Sequence, residues 1–431
     1  MSRQAEPAPA RAADSVSLAV VTALVDSLAS GRVRRRSSTA EWALVVALLI
    51  LGDLGVLAVP AILVVGWLAP LGIGWQWLAV AWAIPMAGSL ASSVLGVRSD
   101  RPVPVENLPG RAVLPEQEPA LCALVARACQ RLGLTEPVVV RITPTDAGLV
   151  RTKIDGRPAY ALLLALHHVV SLGEPALAAL ATCLLADPTI SAPRRDRWIS
   201  GAYQTLATSL DRPVHPPKAL CAPAARAGRA IAWRLDLDAD TRAAGAVGAL
   251  ELRDALARVM LTDAALGVHG EQWCDALTLG HPITVGAAHV DDLYDAITAT
   301  LADPVLRSGL AATADEQIAE LLTDRYVLTV DPPLPVRLRA LGAPASVTAL
   351  TDLAAAQIPG EPAPAPVPLE SKAQLCAWGT RAISDAATTY DQLSLLTRLR
   401  ARRRLRSHRR ALATTTVQRA VGGATATETS R

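Results

Sequence analysis

Three short runs, far apart in this 431-residue chain, hold the side chains whose types and spacing bear on chemistry. The first is Thr182-Cys183-Leu184-Leu185-Ala186, inside an apolar stretch. The second is Asp236-Leu237-Asp238-Ala239-Asp240, and the third is Asp331-Pro332-Pro333-Leu334-Pro335-Val336-Arg337-Leu338. Asp236 and Asp240 stand one helical turn apart and share a face. They make either a carboxylate pair or an acidic surface balanced by Arg234 and Arg242, and the second reading is the simpler. Cys183 with His167 or His168 would be a nucleophile and its base, but a mid-helix setting among apolar residues favours a buried thiol. His281 and His289, with Asp291 or Asp292, offer ligand atoms at a spacing that matches no recognised metal motif, so they read as loop histidines.

A fourth run is basic. Arg398, Arg400, Arg402, Arg403, Arg404, Arg406, Arg409 and Arg410 crowd one short stretch. Such a run suits anionic lipid, at about 1 kcal/mol per arginine near the leaflet, or a solvated helix. Nucleic acid is disfavoured, because few aromatic residues lie nearby to stack on bases.

The elements that position these runs follow from pattern. Leu121–Leu132 has helical spacing, Val138–Ile142 reads as a strand, and Ala159–Leu166 reads as a second strand bounded by Gly156-Arg157-Pro158. The next helix is expected to start from a capping box of Ser171 and Glu174 with Pro175 in its first turn, and to stop at Asp187-Pro188. Pro223 to about Leu266 is mostly helical, as is Asp291 to about Thr323. A short helix spans Val336–Leu341, and Pro359–Pro368 is a Pro-rich linker before a helix from Ser371 to about Ala420.

Apolar residues make up 51% of the chain and charged ones only 19%, and the excess is concentrated rather than spread. Trp42–Val97 holds a single charge, Asp53, and Ala69–Gly74 supplies a Pro and two Gly residues for a turn. A helix crosses about 30 Å of hydrocarbon in about 20 residues, so this stretch predicts a two-helix transmembrane hairpin, Trp42–Leu68 and Trp75–Val97. Arg32, Arg34, Arg35 and Arg36 precede it, Arg98 and Arg101 follow, and its turn has no Lys or Arg. That asymmetry places both termini in the cytoplasm of an inner (plasma) membrane protein. Asp53 is read as protonated or turned into the hairpin toward a small polar neighbour such as Ser89. Six scattered cysteines with no C-x-x-C pair argue against both a disulfide framework and a zinc ribbon. The Ala- and Arg-rich, Phe-free usage is that of a GC-rich bacterial genome.

The order of these runs, with a hairpin in front, resembles the HtpX-type zinc metallopeptidases, the membrane family that includes the CAAX prenyl endopeptidases. In that family a helix carries H-E-x-x-H, a later helix carries E-x-x-A-D, and an H-P-x-x-x-R element follows. Two histidines one turn apart and a distant carboxylate hold Zn²⁺, water fills the fourth place, and the Glu takes its proton. Here Thr182 and Ala186 stand at the two histidines, Cys183 at the base, Asp236 at the third ligand, Asp240 at the closing Asp, and Asp331 at the last His. The resemblance therefore implies a mainly α protein with a small β-sheet: a transmembrane hairpin, then a zincin-like α+β metallopeptidase-type domain.

The expected divisions are 1–40, a cytoplasmic segment; 41–97, the hairpin; 98–345, the metallopeptidase-like domain; and 346–431, the linker, helix and basic tail. The expected role is a cytoplasm-facing pseudopeptidase, with no catalytic residue, no metal and no cofactor, whose partners are membrane lipids and a protein or peptide. The alternatives are an active zinc endopeptidase whose ligands lie elsewhere, and a structural membrane protein with a lipid-binding tail.

Overall fold

The computed structural model describes residues 39–51, 102–187, 192–210, 218–279, 283–285, 288–290, 292–323, 329–343, 350–351 and 365–391. It is mostly helical with a small mixed sheet. Residues 39–51 form α1. Strands β1 (Val103–Pro104) and β2 (Arg111–Ala112) come next, then α2 (Pro119–Leu132), β3 (Val138–Thr143), β4 (Gly148–Ile154), β5 (Arg157–Ala165) and the short α3 (Leu166–Ser171). The remaining helices are α4 (Glu174–Leu185), α5 (Arg194–Leu210), α6 (Lys218–Val247), α7 (Ala249–Leu279), α8 (Leu293–Ala302), α9 (Pro304–Thr323), α10 (Leu334–Ala340) and α11 (Lys372–Asp391). A two-stranded ribbon, β6 (Ile283–Val285) and β7 (Ala288–Val290), lies between α7 and α8.

The five-stranded sheet has the order β1-β4-β5-β3-β2. Its central strand β5 runs parallel to β3 and antiparallel to β4. Every residue of β5 from Ala159 to Ala165 is buried, which explains why it reads as a continuous apolar run rather than an alternating one. β4 and β5 are joined by Asp155 and Gly156, both at positive φ (51° and 77°). This is the two-residue hairpin geometry that Asp-Gly favours.

α4 is apolar nearly all round because α2, α6 and α7 enclose it. Its N-cap is Gly173. Ser171, expected to cap it, instead ends α3 and lies 3.5 Å from the Thr298 hydroxyl. The long helical run expected from Pro223 breaks at Gly248, whose φ of +101° ends α6 and starts α7. A Cβ there would collide with the Glu251 carboxylate. The run expected from Asp291 likewise divides at Asp303-Pro304.

The main core gathers residues from α2, the sheet, α3, α4, α7, α8 and α10. It also takes in Val367, Leu375 and Cys376. Buried Glu118 accepts the Glu370 and Ser371 backbone N–H groups at 2.9 Å each, anchoring the start of α11. The residues just past the Pro-rich stretch, expected to belong to a separate tail, are thus part of this core.

A second apolar cluster joins α1 to α5 and the first half of α6, with Leu48, Leu49, Ile199, Tyr203, Leu206 and Ala225 at its centre. α1 covers only the first part of the expected membrane helix 42–68, and its leucines face protein helices. Among the described residues no helix is long and apolar enough to cross a membrane. The rest of the hairpin, with Asp53, lies outside the described residues, as do residues 1–38 and the basic run Arg398–Arg410.

Candidate functional site

The three runs singled out in the sequence meet where α4, α6 and α10 pack. Asp240 is fully buried on α6, its side chain 1% exposed. Arg337, in the last turn of α10, donates to it twice, from Nε to Oδ2 at 2.8 Å and from Nη2 to Oδ1 at 2.6 Å. This two-pronged match of guanidinium to carboxylate is the strongest form of the pair. The Cys183 thiol of α4 donates to the same Oδ1 at 3.3 Å, and Arg337 Nη2 lies 3.5 Å from its sulfur. Three helices are therefore joined through one carboxylate.

Burial, assisted by the negative charge of Asp240 and opposed by Arg337, pushes the Cys183 thiol up to about 12. It is a thiol at physiological pH, and a thiol is a poor nucleophile. Its polar partners are Asp240 and Arg337. His167 and His168 instead bond Asp263 of α7, so the nucleophile-base pairing does not form.

Thr182 is buried and its hydroxyl donates back to the Ala178 carbonyl at 2.7 Å, the usual refuge of a helix threonine. Ala186 is the C-cap of α4, and its carbonyl accepts from the Arg242 guanidinium. An arginine at a helix C-terminus satisfies an orphan carbonyl and suits the dipole. Asp236 is half-buried on α6. Burial first, then the charges of Asp331 and Asp240 against the opposing Arg337, push its carboxyl up to about 8. Asp331 sits exposed at the entrance to α10. Counted back from Arg337, the histidine of the H-P-x-x-x-R pattern falls on Pro332 rather than on Asp331.

The acidic-surface reading of Asp236 and Asp240 gives way to this arrangement. Arg234 pairs with Asp196 at 3.4 Å and Arg242 with the α4 terminus, so neither balances the two aspartates. The partner is Arg337, 97 residues from Asp240 in sequence. Of the other candidates, His281 and Asp291 lie outside the described residues, His289 is on β7, and Asp292 caps α8 by accepting from the Tyr294 and Asp295 backbone N–H groups.

Chemically, the cluster has an arginine-saturated carboxylate, a protonated thiol, and a carboxyl that keeps its proton into neutral pH. Comparison with protein-family models, curated proteins and solved structures finds no match to this chain.

Proposed function

We propose that this chain is a membrane-anchored, cytoplasm-facing relative of the HtpX-type metallopeptidases that binds a protein or peptide without cutting it. One observation carries the reading. Segments 182–186, 236–240 and 331–337, which stand at the places of the family's three motifs, pack together around Asp240 and Arg337. In an active member that place holds two imidazoles, a carboxylate and a general base around one zinc. Here none of the ligand positions Thr182, Ala186 and Asp236 carries an imidazole, and Cys183, at the position of the base, bonds to the Asp240–Arg337 pair. The zincin-like fold and the transmembrane hairpin are part of the same proposal, the hairpin resting on the charge pattern that flanks Trp42–Val97. An apolar groove of about 660 Å³ between α2 and β3, lined by Val113, Cys122, Val125, Leu134 and Val140, gives a partner segment a surface to rest on.

The test is proteolysis by the unmodified full chain in detergent, on casein and on a peptide library, with and without a chelator. The expected result is no cleavage in either condition. Chelator-sensitive cleavage would overturn the proposal in favour of an active endopeptidase. Bound zinc without cleavage would not, for the reason that follows.

A further inference from the structure

A second polar constellation lies between α3 and α7. The side chains of His167 and His168 are 0% and 4% exposed, whereas that of Asp263 is 48% exposed. Both imidazole Nε2 atoms stand 2.8 Å from the same oxygen, Asp263 Oδ1. The ring centroids are 4.1 Å apart. Consecutive residues of a helix point about 100° apart, so adjacent imidazoles converge on one atom only where the local backbone and packing bring them together. Ligand atoms of the three residues all lie within 4.8 Å of one another.

For one carboxylate oxygen to accept from two imidazoles, both must carry the proton on Nε2. In that tautomer each Nδ1 is a buried acceptor without a hydrogen-bond partner, whereas the Pro144 carbonyl beside the His167 ring suits an Nδ1–H, the tautomer that frees His167 Nε2 for a metal. Burial holds the His167 imidazole below its ordinary value. Burial acts upward on the Asp263 carboxyl, but the bonds from both histidines outweigh it and hold it at about 2. A carboxylate facing imidazole nitrogens in this way is a ligand set suited to a dication.

We propose that His167 Nε2, His168 Nε2 and the Asp263 carboxylate bind one divalent ion of the zinc class, with water completing the tetrahedron on the exposed side of Asp263. Zinc bonds of about 2.0–2.2 Å separate tetrahedral ligand atoms by about 3.3–3.5 Å. Loading therefore opens the 2.8 Å contacts by about half an ångström and removes the crowding of two donors on one oxygen. Two nitrogens with one oxygen favour zinc over magnesium or calcium, which take oxygen sets. The ion would clamp α3 to α7 and use none of residues 182–186 or 236–240. The proposal is thus independent of the peptidase resemblance.

The test is titration of the chelator-stripped full chain with Zn²⁺, Co²⁺ and Mg²⁺, read by bound metal, melting temperature and Co²⁺ absorption. One zinc per chain is expected, with a rise in melting temperature that Mg²⁺ does not give. Asp263→Asn, at a half-exposed position, and His168→Gln should each weaken zinc about tenfold or more. The Co²⁺ spectrum should lack a thiolate charge-transfer band. Absence of zinc binding by the unmodified chain, or unchanged affinity in both variants, would overturn the site. A thiolate band would also overturn it, by placing the metal on a cysteine.

Discussion

Arg337→Met is expected to destabilise the protein by about 3–5 kcal/mol, because it leaves the buried Asp240 carboxylate without its counter-charge. The side chain it removes supplies both charged donors to Asp240, and the remaining donor is the weak Cys183 thiol at 3.3 Å. Asp240→Leu alone should cost a similar amount by stranding the guanidinium. The double variant Asp240→Leu/Arg337→Met should recover most of the loss, since replacing both members of a buried pair with apolar side chains of similar size is often neutral. Chemical denaturation of the four proteins gives the coupling directly. Additive losses in the double variant would mean that the pair does not hold α6 to α10.

Asp236→Asn is expected to stabilise the protein, and to do so only toward higher pH. The Asp236 carboxyl is raised from 3.8 to about 8 in the folded protein, so between these values the folded state keeps a proton that the unfolded chain has lost. Stability therefore falls as pH rises through that window. The contribution of this group is most favourable below about pH 4 and least favourable above about pH 8. A shift of this size corresponds to several kcal/mol. Asn is neutral throughout, so the variant and the parent should match near pH 4 and diverge steadily to pH 8. The groups acting on Asp236 are Asp331, Arg337, Asp240 and Asp187, and they remain in the variant. Parallel stability curves for the two proteins across this range would show that Asp236 titrates normally.

Much of the architecture could be read from local pattern. The expected strands Val138–Ile142 and Ala159–Leu166 fall on β3, rich in β-branched residues, and on the buried β5, with Leu166 starting α3 instead, and α2, α4 and α10 fall close to where their spacing places them. β4 escaped because its residues are mostly half-buried and do not alternate cleanly, although Asp155-Gly156 carried the hairpin signal. The capping box at Ser171 misled because a Gly two residues later, in extended backbone, begins α4 instead. At the site, the positions were legible and their partners were not. Sequence neighbours suggested Arg234 and Arg242 for the two aspartates, whereas a bend in the chain supplies Arg337. The pairing of His167 and His168 with Asp263 spans 96 and 95 residues, and no local pattern reports a contact across that length.

The proposed relation to the metallopeptidases is tested most directly by rebuilding the zinc ligands at Thr182, Ala186 and Asp236. The measurement is zinc stoichiometry of the fourfold variant Thr182→His, Cys183→Glu, Ala186→His and Asp236→Glu, made in an Asp263→Asn background so that the α3–α7 site is weakened. The resemblance predicts that histidines at 182 on α4 and at 186, its C-cap, converge with a glutamate at 236 on α6 as the ligand set of a catalytic zinc. The predicted result, at a zinc concentration too low to fill the weakened α3–α7 site, is one more zinc per folded chain in the fourfold variant than in the Asp263→Asn parent. A fourfold variant that folds and binds no more zinc than that parent would contradict the account.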